Sequence, residues 1–176
     1  MKKLDAYSIS IGVLAVIDTY LTATLIPVPV WVTFISWASF FILGGKVSGL
    51  KQSIASNLTG VVISSLTLLA IALLGSHPIV VAVCVGAGSA AMVQASKLPL
   101  LSAIPAIVWG FASTVGTTVA TGKPITTIGL ANPAIVAGVA MVLGGFFGYL
   151  SEIWGNALCG EGKPVASKTT AGGTTS

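Results

Sequence analysis

The sequence predicts an all-α polytopic membrane protein with six transmembrane helices, arranged as two inverted three-helix repeats. Three observations carry that expectation. Hydrophobic residues make up 55% of the chain and charged residues only 7%, with a mean hydropathy of +1.01. A soluble protein needs about a quarter of its residues charged to clothe its surface. The apolar residues fall into separate runs, most of them long enough to cross about 30 Å of hydrocarbon with roughly 20 residues. The lysines gather at the joints between those runs.

The first run is Ala6 to Ile26, closed by Pro27 and Pro29. The second, Val30 to Leu43, is short and aromatic (Trp31, Phe34, Trp37, Phe40, Phe41). It must stand nearly upright, begin within the proline turn, or lie partly at the interface; a re-entrant segment is the rival. The third run is Leu50 to Leu74, the fourth Pro78 to Ala95, the fifth Leu98 to Ala120 and the sixth Asn132 to Ile153. Pro78 and Pro99 suit first helical turns, and Asn132-Pro133 reads as a capped helix start. Pro105 falls inside the fifth run, where it would kink the helix and free the Leu101 carbonyl. Residues 1–159 thus form one transmembrane domain. Residues 160–176 (GEGKPVASKTTAGGTTS) have almost no large apolar residue and read as a disordered cytoplasmic tail.

Six crossings put Lys2, Lys3, Lys46, Lys51, Lys97, Lys163 and Lys168 on one side and only Lys123 on the other. Lysine excess marks the cytoplasmic side, so both termini are expected there. Lys2 and Lys3 before an apolar stretch also suit a signal peptide. Asp5 and Asp18 weaken that reading, and cleavage would spoil the lysine pattern, so the segment is taken as retained. Cys84 and Cys159 make no disulfide framework.

The repeat expectation comes from the joints. Gly44-Gly45-Lys46 after the second run matches Thr121-Gly122-Lys123 after the fifth, and Ser48-Gly49-Leu50 matches Ile128-Gly129-Leu130. Trp31 and Trp109 stand early in the second and fifth runs. Three crossings per unit would make the units inverted, as in many transporters. Small residues recur four apart at Gly144/Gly148, Ala82/Gly86 and Ala112/Gly116, a spacing that lets helices pack closely in lipid. They serve either a tight single-chain bundle or contacts between copies, and a homo-oligomer is expected because six short helices enclose little space.

Asp18 is the most informative residue. It lies roughly 18 Å along the first helix, where a carboxylate costs several kcal/mol, of order 3, unless it meets water, a partner or a proton. It lines a polar vestibule, acts as a proton-coupled binding group, or reaches the outer headgroups. In the third run Ser53, Ser56, Asn57, Gly60 and Ser64 share one helical face, with Lys51 and Gln52 at its mouth. Gln94 and Ser96 end the fourth run beside Lys97. Ser113, Thr114, Thr117, Thr118 and Thr121 enrich the outer half of the fifth with hydroxyls. Such groups line a route, bond to a neighbouring helix, or return to their own helix carbonyls. The candidate solute route is Asp18, Ser53, Asn57, Gln94 and Thr114. His77 is a lone loop histidine, and Glu152 is expected among headgroups at the end of the sixth run.

No phosphate loop, dinucleotide fingerprint, metal cluster or nucleophile elbow is present in the sequence. No enzyme activity, cofactor, metal or nucleic-acid partner is therefore expected. The stretches Ile35–Val61, Met92–Gly116 and Gly144–Leu150 resemble the YcdZ-like bacterial inner-membrane family known as domain of unknown function 1097. The resemblance covers about residues 8–155, and its most specific pieces are Ser36-Trp37-Ala38, Gly49-Leu50-Lys51, and Gln94-Ala95 with Pro105 downstream. It implies a multi-span inner-membrane protein and carries over no catalytic residue. The functional expectation is a channel or small permease for a small polar solute. The alternative is a non-transporting structural or accessory membrane protein.

Overall fold

The computed structural model describes residues 1–160; the expected tail lies outside the described residues apart from Gly160. Six α-helices follow in order: α1 (Lys3–Thr24), α2 (Val30–Ile42), α3 (Lys46–Leu74), α4 (Pro78–Ala95), α5 (Ile104–Thr121) and α6 (Pro133–Cys159). A single 3-10 turn, Pro99–Leu101, precedes α5, and the described residues contain no strand. All but α2 are long and apolar enough to cross a membrane. The chain is a multi-pass membrane protein.

Polar contacts at the helix ends show which ends share a side. The Tyr7 hydroxyl on α1 donates to Asn156 Oδ1 near the end of α6, at 2.9 Å. The Lys46 amide opening α3 donates to Glu152 Oε2, also on α6, at 2.6 Å. Gln52 on α3 donates to Ser102, just before α5, at 2.8 Å. The start of α1, the end of α2, the start of α3 and the end of α6 therefore lie together, on what we call the terminal side. Because α2 returns the chain to that side, it runs from end to end and is not re-entrant. Its 13 residues span only about 20 Å. Lys2, Lys3, Lys46, Lys51 and Lys97 share the terminal side, and Lys123 lies opposite.

Four helix ends differ from expectation by three residues or more: α1 starts at Lys3, α3 at Lys46 and α5 at Ile104, and α6 ends at Cys159. The fifth helix starts at Ile104, so Pro105 occupies its first turn and no kink frees the Leu101 carbonyl. Proline there removes an amide that would be unbonded anyway, and Leu98–Leu101 are left to the separate 3-10 turn. The third helix starts early, at Lys46, whose φ of 58° follows Gly44 and Gly45 at 87° and 66°. The Glu152 carboxylate, at the terminal end of α6, accepts from the first amide of α3.

The helices pack as two matched halves. Exchanging α1, α2 and α3 for α4, α5 and α6 turns each substantial helix pairing into another: α3–α5 into α6–α2, α1–α6 into α4–α3, and α2–α3 into α5–α6. The α3–α6 and α2–α5 pairs map onto themselves. Buried positions follow. Ser53, Gly60 and Thr67 of α3 fall on Ala137, Gly144 and Ser151 of α6, and Thr33, Ser36 and Ser39 of α2 fall on Ile107, Gly110 and Ser113 of α5. The halves run in opposite directions, since α1 leaves the terminal side and α4 approaches it. A Cβ on Gly60 would overlap the Ile107 carbonyl of α5, and one on Gly144 the Thr33 carbonyl of α2. The same backbone approach thus occurs once in each half. A Cβ on Gly148 would meet the Phe40 ring and one on Gly116 the Trp31 ring, so those small residues work inside the bundle. Gly86 on α4 faces open space.

Candidate functional site

Small polar side chains are concentrated where the halves meet. Asp18 is fully buried on α1, one of a row (Ala6, Ser10, Leu14, Asp18, Thr22) spaced four apart on the face turned to α2 and α6. The Thr33 hydroxyl bonds to Asp18 Oδ2, and Thr33 Oγ1 also lies 2.7 Å from the Val30 carbonyl. Asp18 Oδ1 has no partner. Asp18 does not reach the headgroups; it points into the bundle.

One turn further along α2, the Ser36 hydroxyl donates to the Met141 carbonyl of α6 at 2.5 Å. Asn57 of α3 turns its amide nitrogen toward Ser36, Ser39 and Ser53 at 3.3, 3.3 and 3.2 Å. Ser53 donates to Ser39 at 2.9 Å. Asp18, Thr33, Ser36, Asn57, Ser39 and Ser53 thus form a seam along α2, descending toward the terminal side. Several oxygens in this core are shielded and unpartnered: Asn57 Oδ1 and the hydroxyls of Ser56, Ser64 and Ser113. Buried polar atoms without partners are uncommon, because each forfeits its hydration for nothing.

Apolar residues pack around the seam. On the side opposite the termini, a cleft of about 410 Å³ lies between Pro29, Thr121, Lys123 and Val136. Beneath it, Val32, Val61, Ala140 and Met141 form one apolar cluster. Chain direction places this cluster between the cleft and Ser36. Toward the terminal side, Phe40 packs edge-on to Tyr149 and Phe41 at 6.3 and 5.1 Å. Trp37 stacks on Phe147 at 5.7 Å and donates to Ser151 Oγ at 2.9 Å. Apolar and aromatic side chains thus flank the buried polar seam.

Of the residues expected to line a route, Asp18, Ser53 and Asn57 come together along the seam. Thr114 is buried, but it donates to its own Gly110 carbonyl at 2.9 Å. Thr117, Thr118 and Thr121 do likewise, at 2.7, 2.9 and 2.7 Å. Gln94 is exposed on the outside of α4 and takes no part. Sequence reasoning passed over Thr33, Ser36 and Ser39, which join Asp18 to Asn57. Their signal was three hydroxyls spaced three apart within an aromatic run. His77 caps α4, accepting from the Ile79 amide at 3.4 Å, and Asn132 caps α6 at 2.8 Å. Among the described residues no three His, Cys, Asp or Glu side chains cluster as metal ligands would.

Fold and seam together define a polytopic α-helical membrane protein with an enclosed polar middle between two inverted halves. The chain belongs to the family described as protein of unknown function DUF1097, whose profile matches residues 8–156. No curated protein and no solved structure matches it.

Proposed function

We propose that this chain is a permease or channel for a small polar solute, passing the Asp18–Asn57 seam, in a bacterial cytoplasmic membrane with both termini cytoplasmic. The observation that supports it is the seam itself, with buried unpartnered oxygens at the interface of two inverted three-helix halves. Inverted repeats place substrate routes at their interface, and a lining of hydroxyls, one amide and one carboxyl favours hydrogen-bonding solutes over bulky anions. On this reading the present conformation is the closed one. The protein catalyses no reaction and works as a homo-oligomer. The test is reconstitution into vesicles offered urea, glycerol, formamide, ammonium and acetate in turn. Faster swelling or flux than empty vesicles for at least one solute, slowed several-fold by Asn57→Leu, is the expected result. Equal rates for all of them would sink the reading.

A structural or accessory role draws on a different observation. The α4 face carrying Ala82, Gly86 and Ala90 is exposed, and Gly86 has nothing against it. In that case the seam would only bond helix to helix, and Asn57→Leu would alter stability without altering flux.

A further inference from the structure

Two full hydrogen bonds at Thr33 need one more hydrogen than its own hydroxyl provides. A threonine hydroxyl carries a single proton. Its oxygen here lies within bonding distance of two other oxygens, the Val30 carbonyl at 2.7 Å and Asp18 Oδ2. A carbonyl oxygen brings no proton. If Asp18 were ionised, the single Thr33 proton would be divided between the two acceptors in a weaker three-centre bond. Both become full hydrogen bonds when Asp18 is the neutral acid. Oδ2–H then donates to Thr33 Oγ1, and Thr33 donates to the Val30 carbonyl, the back-bond expected of a helical threonine.

The other carboxyl oxygen supports the same state. Asp18 Oδ1 is shielded and has no partner. On an ionised carboxylate that oxygen would carry half a negative charge with nothing to answer it, whereas on the neutral acid it is an ordinary carbonyl oxygen, far cheaper to bury. No charge on the packed elements compensates an anion either. α2 has no ionisable side chain. On α6, Tyr149 and Glu152 lie toward the terminal side, with Glu152 on the Lys46 amide. On α1 itself, Lys3, Asp5 and Tyr7 stand at least 11 residues away, about 16 Å, and Tyr20 is 68% exposed. Lys123, across the loop, lines the outer cleft.

We propose that Asp18 and Thr33 form an exchangeable proton-binding site, occupied in the closed bundle. The exchange is a plain acid–base step: a proton from water adds to the Asp18 carboxylate when the site opens to one side, and the carboxylic acid returns it when the site opens to water again. This rests on the permease reading for its use, since a permease with such a site ties its solute to a proton. The site itself is testable without any solute, so the two ideas fail in separate experiments.

The test is infrared spectroscopy of the full chain reconstituted in lipid, titrated in potassium and then in sodium buffer. The chain has only four acidic side chains, so a buried carboxylic-acid band is readily assigned. A band present at neutral pH, shifted in deuterated water, reversibly lost in alkali and absent from Asp18→Asn supports the site. Thr33→Val keeps Asp18 and should shift the band, and Thr33→Ser should restore its position. That pattern reports the hydrogen bond independently of how well Asp18→Asn folds. An Asp18 that stays ionised at neutral pH in the wild-type chain overturns the proposal. So does a carboxylate signal that moves with sodium instead of pH, which would make this a cation site.

Discussion

Glu152 illustrates how a single side chain acquires a role that its sequence position does not announce. Its carboxylate takes the Lys46 amide at 2.6 Å, and a Cβ on Gly45 would stand 2.5 Å from its Oε1. It therefore caps α3 from α6, placing negative charge where the helix dipole favours it. Glu152→Ala should lower stability by about 0.5–2 kcal/mol, the usual cost of a lost N-terminal cap. Glu152→Gln, which keeps an acceptor oxygen, should lose less. Thermal unfolding of the purified protein in detergent would check this, and equal stability of both variants with wild type would mean the cap contributes nothing. Asp18, Asn57 and Ser53 were legible because polar groups inside long apolar runs need a reason. Thr33, Ser36 and Ser39 were not, because hydroxyls in a helix so often bond to their own backbone that their presence carries little information. Thr114 shows that habit. Gln94 misled because an amide at the end of a span suits a headgroup interface as well as a route.

At the level of the helices, the packing depends on glycine positions that are not equivalent, although their spacing in the sequence looks alike. Gly60 and Gly144 lie at backbone-to-backbone contacts, whereas Gly86 faces open space. Gly60→Val and Gly144→Val should each destabilise the bundle by at least about 1–3 kcal/mol, since the neighbouring atoms are carbonyl backbone that cannot swing aside. Gly86→Val should be neutral in an isolated chain. Size-exclusion profiles after heating would rank the three, and a Gly60→Val protein as heat-resistant as Gly86→Val would contradict the close approach. The sequence showed small-residue spacing but not which pairs face inward, since that depends on helix rotation and apolar residues surround every face. Helix ends were harder still. Pro105 is compatible with a kink or a first turn, and only the separate turn at Pro99–Leu101 decides for the latter.

For the whole molecule, the number of helices and which joints share a side are the properties that the sequence carried most fully, because lysine placement and apolar length are independent signals that agree. The inverted halves were hinted at by the Gly-Lys joints and are much plainer in the packing, where helix pairings and buried positions correspond although few residue identities do. Such correspondence needs only matched size at each contact, so sequence comparison between the halves retains little of it. The arrangement makes a sharp prediction about access. In a chain whose native Cys84 and Cys159 are replaced by serine, single cysteines at His77 and Lys123 should react in intact cells with a membrane-impermeant maleimide. Cysteines at Lys51 and Lys97 should react only after the membrane is opened. The structure fixes which positions share a side; which side is cytoplasmic is the part proposed from the lysine excess. Two failures are therefore distinguishable. If all four positions exchange behaviour together, the orientation is reversed but the fold stands. If Lys97 alone is labelled from outside, α4 does not cross as described, and the correspondence between the two halves fails with it.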